Sequence, residues 1–192
     1  MLQVLRNLFF ALILSGLLYP SVVFMLSKIF PKQAEGSLLT YNGRIVGSKL
    51  LGQKFYSTKY FHSRPDLFLY YPLESNGNVY DQYLKNPKLV NKIENQIKKI
   101  RKKYNFSNKT LLPSDMVLAS GSGVDPHISF ENAVLQLHYV AKNRNIPVQE
   151  IYPLLYKAIT KNFVGLWGNT VVNVLQLNLL LDNLENGKDE NL

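Results

Sequence analysis

The residues best suited to chemistry are gathered in Ala119 to Ser129, ASGSGVDPHIS, where Ser120, Gly121, Ser122, Gly123, Asp125, Pro126, His127 and Ser129 follow one another closely. Gly121 and Gly123 ahead of a helix suit a turn whose amides cradle phosphate, but the third glycine of the dinucleotide pattern is missing and no Gly-Lys-Ser/Thr occurs. Ser120 or Ser122 with His127 and Asp125 supplies the residue types of a hydrolase triad. Neither serine has the flanking glycines of a nucleophile elbow, and triads are assembled from distant segments. This membrane-anchored hydrolase stands as the alternative functional reading. Asp125 and His127 with His62 or His138 could ligate a metal, yet no pair shows ligand spacing. A rigid corner explains more of the composition: glycines allow positive φ, Asp125 can close an Asx turn, Pro126 fixes φ and Ser129 can cap the next helix. The absence of cysteine excludes disulfides, thiolate metal sites and cysteine nucleophiles.

These residues need elements to hold them. SDMVLAS after Pro113 reads as a short buried strand feeding the corner. A helix is expected over Phe130–Asn143, capped by Ser129, with Glu131 in its first turn and a buried stripe of Ala133, Val134, Leu137, Val140 and Ala141. A second helix follows Pro147, carrying Ile151, Leu154, Leu155, Ala158 and Ile159. TVVNVLQLNLLLDNL fits a last helix, although its alternation also fits a strand. Upstream, Leu89, Ile93, Ile97, Ile100 and Tyr104 recur at steps of three and four over Lys88–Tyr104, so an amphipathic helix with a lysine-rich solvent face is expected. Asn42-Gly43 between two short apolar-polar runs predicts a β-hairpin over Ser37–Ser48. GQKFYSTKYFHSRP, rich in aromatic and basic residues, and the stretch to Pro87 read as irregular.

The 192 residues suffice for one domain plus an appendage. The appendage is Leu8 to Leu26, LFFALILSGLLYPSVVFML, an uncharged run long enough for one uncleaved membrane helix. Pro20 should kink it, and Gly16 with Pro20 suggests a packed face. Arg6 on one side and Lys28 and Lys32 on the other leave orientation undecided. Net charge is +9, which favours anionic partners without choosing among nucleic acid, lipid and acidic protein.

GSLL, VGSKLLGQKF, YFHSRP, NPKLV, SDMVLASGSGVDPHIS and VVNVLQLNLLLD, in this order behind an apolar helix, resemble the C-subunit family of the bacterial Kdp potassium-transporting P-type ATPases nearly end to end. The resemblance implies an α+β protein: a short cytosolic N-terminus (1–7), a transmembrane helix (8–29), a linker (30–36), one mixed α/β extracytosolic domain (37–184) and a flexible tail (185–192). It implies a non-catalytic accessory subunit in the plasma membrane, anchored among lipid beside a potassium channel-like subunit, an ATP-hydrolysing pump subunit and a further small membrane subunit, with no nucleic acid partner. Potassium would be the transported ion, and ATP would be bound through the pump subunit, whose assembly or nucleotide affinity this chain would support. Gln53, His62, Arg64, Ser120, Gly121, Gly123, Asp125 and His127 are then candidates for partner contacts or functional loops, and Gly16 and Pro20 for helix packing. One departure is plain: family members carry a GGSN-x-GP element after YFH-x-RP, where this chain reads LESNGNVYDQYLKNPKLV, so the loop from Leu73 to Leu84 departs from the pattern.

Overall fold

The computed structural model describes residues 1–65, 87–160 and 170–189. The chain divides into two compact units, Met1–Ser48 and Lys49–Leu192.

In the first unit, α1 runs over Leu2–Ser27 and is the one helix among the described residues long and apolar enough to cross a membrane. At about 1.5 Å per residue it exceeds the roughly 30 Å of a hydrocarbon core. Its departure from α geometry is a π-helical segment, Leu14–Leu18, in which the Tyr19 amide bonds back to the Leu14 carbonyl. Pro20 follows at once and has no amide hydrogen to donate, so the irregularity expected at the proline lies in the turn before it. Ser15 and Ser21 donate to the Ala11 and Leu17 carbonyls, each at 2.7 Å, so neither hydroxyl carries an unmet bond into an apolar medium. A single turn, α2 (Pro31–Ala34), ends at Gly36 and Ser37, both at positive φ. Strands β1 (Leu38–Tyr41) and β2 (Arg44–Ser48) then form the expected hairpin, with φ of 48° and 73° at Asn42 and Gly43 as a tight primed turn requires.

The second unit holds α3 (Pro87–Tyr104), α4 (Ser114–Val117), β3 (His127–Ser129), α5 (Phe130–Arg144), α6 (Val148–Lys157), β4 (Ile159–Thr160), β5 (Val171–Asn173) and α7 (Val174–Asp189). The three strands form an antiparallel sheet in the order β3-β5-β4. Ile128 of β3 and Val172 of β5 face a core that includes Leu137 and Val140 of α5, Ile151 and Leu155 of α6, and Leu177 and Leu181 of α7. Phe61, from the segment before α3, is fully buried in the same core, and its truncation would cost about 3–5 kcal/mol. A smaller cluster joins Ile100 of α3 to Met116 and Val117 of α4.

Three expectations are corrected. SDMVLAS is not a strand: Ser114–Val117 is a helical turn, closed by the Leu118 amide on the Ser114 carbonyl. Pro113 leads into it, Asp115 sits in its first turn, and consecutive Met116 and Val117 are both buried, which strand alternation would not allow on a one-sided sheet. The last apolar run is both of the types considered, a strand over Val171–Asn173 and then a helix. That helix runs over Val174–Asp189, and Arg144 donates to its Glu185. Ile159, assigned to the second helix, belongs to β4. The departing loop from Leu73 to Leu84 lies outside the described residues.

Candidate functional site

The site begins with the irregular segment 52–64, which is held by side chains reaching from the helices. Buried Arg144 donates to the Lys59 carbonyl at 2.6 Å, to Glu185 at 2.6 Å and to Asp182 at 2.7 Å, with its guanidinium over the Tyr60 ring. The next two residues are clamped by amide side chains from different helices. Phe61 donates to Asn178 Oδ1 at 2.9 Å and accepts from its Nδ2 at 3.0 Å. His62 donates to Gln136 Oε1 at 2.8 Å and accepts from its Nε2 at 3.1 Å. Each amide gives an unpaired backbone peptide both of its partners, as a buried peptide needs. Ser63 donates to the Gln53 carbonyl at 3.1 Å, closing the segment on itself.

So fixed, the segment meets the 118–127 loop. The Gly52 amide donates to the Val124 carbonyl at 2.7 Å. A β-carbon at Gly52 would lie 2.6 Å from the Asp125 carbonyl oxygen, so only glycine permits this approach. Arg64 donates to the Ala119 carbonyl at 3.0 Å and to the Leu118 carbonyl at 3.4 Å, and its Nη1 lies 3.6 Å from Asp125 Oδ2. Asp125 Oδ1 accepts the His127 amide at 2.9 Å, the Asx turn foreseen, and lies 3.3 Å from His127 Nδ1. Gly123 has φ of 72°, its amide on the Ser120 carbonyl. Gly121 has no positive φ and open space around it, so nothing local demands glycine there.

Of the candidate residues, the structure brings Arg64, Ser120, Gly123, Asp125 and His127 into one cluster, with the Gln53 backbone beside it. The His62 side chain belongs elsewhere: its Nε2 faces Lys103 Nζ at 3.0 Å. Burial, then the Lys103 charge, lowers its pKa to about 4, with the Tyr60 backbone opposing weakly. Gly16 and Pro20 lie in the first unit, on a helix exposed on all sides.

The geometry argues against the chemical readings of the loop. Ser120 Oγ accepts the Asp125 amide at 3.5 Å and Ser122 Oγ accepts the Val124 amide at 3.3 Å. Neither hydroxyl is hydrogen-bonded to His127 among the described residues. With the amides of 123 to 125 bonded within the loop and a carboxylate at its centre, the cradle does not fit a nucleotide phosphate. No group of three potential metal ligands occurs among the described residues.

Sequence reasoning missed the polar residues that build the site. Asp115 accepts the Ser129 amide at 2.7 Å, the Ser129 hydroxyl at 3.0 Å and Asn132 Nδ2 at 3.0 Å, tying α4 to β3 and α5. Asn132 and Gln136, buried one turn apart and joined at 2.9 Å, interrupt the apolar stripe of α5. That interruption was the available signal, because a polar side chain on a core-facing stripe needs a specific partner.

Comparison with known proteins places this architecture. A family model described as K+-transporting ATPase c chain, KdpC, matches residues 1–183. The chain is 41% identical over 171 residues to the potassium-transporting ATPase KdpC subunit of Caldanaerobacter subterraneus subsp. tengcongensis, covering 88% of each. It is 40% identical over 179 residues to the subunit of the same name from Synechocystis sp., covering 89% of this chain and 91% of the relative. To that of Mycobacterium bovis it is 37% identical over 181 residues, covering 90% and 92%. With a match running from the apolar helix to the last helix of the core, the chain belongs to the KdpC family.

Proposed function

We propose that this chain is a non-catalytic accessory subunit of a potassium-importing P-type ATPase complex. One observation carries the reading: the polar groups of the 118–127 loop are turned onto one another and onto Arg64, which makes a stiff projection, and neither serine is hydrogen-bonded to His127 among the described residues. The names of the relatives support membership of a potassium-transporting ATPase. The apolar, wholly exposed α1 supports anchoring among membrane helices, with Gly16 offering a surface for close approach.

In this reading the Lys49–Leu192 unit lies on the extracytosolic side and meets the channel-like subunit through the Arg64–Asp125–His127 cluster, while ATP is bound by the pump subunit. Any gain in nucleotide affinity then passes through the protein contacts, because this loop offers no phosphate cradle. The test is reconstitution of the complex with and without this subunit. The ATP KM of the pump should rise when it is omitted, and the purified chain alone should hydrolyse nothing. Hydrolysis by the chain alone, lost in His127→Gln, would replace this reading with the enzyme.

A further inference from the structure

Between two points fixed to the second unit, the chain turns two leucines outward. At the first point Asn173, fully buried, donates its Nδ2 to the Lys49 carbonyl at 2.8 Å. Asn173 is itself held, its amide donating to the Ala158 carbonyl at 3.0 Å and its Oδ1 accepting the Gln176 amide at 3.0 Å. At the second point the Gly52 amide donates to the Val124 carbonyl at 2.7 Å, in an approach too close for any β-carbon. Leu50 and Leu51 span the gap, and they are 60% and 52% exposed. The Gly52 bond also brings the 118–127 loop alongside, with Val124 48% exposed.

A single surface leucine is ordinary, but a turn is normally built from small polar residues, and here two leucines sit on one that is pinned at both ends. The pinning matters for binding, because little conformational freedom is left to lose when the leucines are covered. A fixed projection suits a fixed socket. An acyl phase accepts apolar side chains in any arrangement, whereas a protein pocket rewards geometry set in advance. Lys49 and Lys54 flank the leucines in sequence, so the matching socket is apolar at its centre and acidic at its rim. In the proposed function the loop carrying Val124 faces the channel-like subunit. We propose that Leu50, Leu51 and Val124 seat in an apolar, acid-rimmed socket on that subunit. Such a contact presupposes the bound subunit proposed above and gives it a specific point of attachment.

The chain has no cysteine, so Leu51→Cys carries a single small diazirine crosslinker in an otherwise unaltered full chain. Irradiated in the purified complex, it should join the channel-like subunit; crosslinking to lipid alone or to the pump subunit would overturn the proposal. Affinity is read by titrating the purified full chain into complex that lacks it and following recovery of potassium-stimulated ATPase activity. Replacing both residues, Leu50→Ser with Leu51→Ser, should raise the half-saturating concentration at least about tenfold, the worth of burying one leucine, and still reach the parental maximum. Both side chains are exposed in the free chain, so its Tm should stay within about 2 °C of the parent. A half-saturating concentration within about twofold of the parent's would overturn the contact while leaving the bound-subunit reading intact. Failure of the parent chain itself to rejoin the complex would overturn that reading, and the contact with it.

Discussion

Arg64 and Asp125, from segments far apart in the chain, meet at 3.6 Å while Arg64 also donates to the Leu118 and Ala119 carbonyls. The ion pair is partly exposed, with side-chain exposures of 26% and 32%, so solvent screens it and its coupling energy should be only about 0.5–1 kcal/mol. Arg64→Ala should cost more, about 1–2 kcal/mol, because two carbonyls also lose their donor. A double-mutant cycle with Asp125→Asn, read by denaturant unfolding, checks both values. Coupling well above that range would mean that the pair is more deeply shielded than its exposure indicates.

Gly52 and Gly121 look equivalent as letters, yet the structure separates them. A methyl at Gly52 meets a backbone oxygen at 2.6 Å, whereas one at Gly121 meets open space. Gly52→Ala should therefore destabilise by about 1–3 kcal/mol through forced backbone displacement, and Gly121→Ala should stay within about 0.5 kcal/mol of the parent. Thermal unfolding of the two variants side by side decides this, and equal losses would contradict the proposed approach of the two segments.

Asp115 accepts three hydrogen bonds that join three elements. Asp115→Asn keeps the size but trades an acceptor oxygen for a donor nitrogen facing other donors. The expected loss is about 1.5–3 kcal/mol, the range for hydrogen bonds to a charged group. Hydrogen exchange at the Ser129 and Asn132 amides should accelerate before that of Leu137, farther along α5.

His62 gives stability a defined pH dependence. Its folded pKa is lowered to about 4 from an unfolded value near 6.5. The unfolded chain therefore binds more protons between those values, and stability falls as pH drops from about 6.5 to about 4. The neutral form costs nothing above that window. His62→Gln removes this titration, so the difference in Tm between pH 7.5 and pH 5 should shrink. An unchanged difference would assign the slope to other groups.

The parts of the fold that follow local rules were legible in sequence. Asn42-Gly43 marks its hairpin because few other pairs accept positive φ twice, and Ser129 marks the start of α5 because its hydroxyl accepts the Asn132 amide. The periodic stripe of α3 was equally plain. SDMV misled because its burial is settled by contact with Ile100 on another helix, which no local propensity encodes. The final apolar run was ambiguous for a physical reason: it changes from strand to helix at Val174, where the Val174 amide bonds the Pro126 carbonyl. In the site, Asp125 and His127 stood out by residue type. Arg144, Gln136 and Asn178 did not, since their roles depend on backbone groups distant in sequence, at Lys59, Phe61 and His62.

The central claim is that this chain works as a bound subunit and not as an enzyme alone. The direct measurement is affinity purification of the tagged full chain from native membranes, in mild detergent, with the co-purifying proteins identified and potassium-stimulated ATPase activity assayed. The account predicts a stable complex containing a channel-like subunit and a P-type ATPase subunit, whose yield falls in the Arg64→Ala variant. Recovery of the chain alone, with high-affinity potassium uptake intact in cells lacking it, would contradict the account.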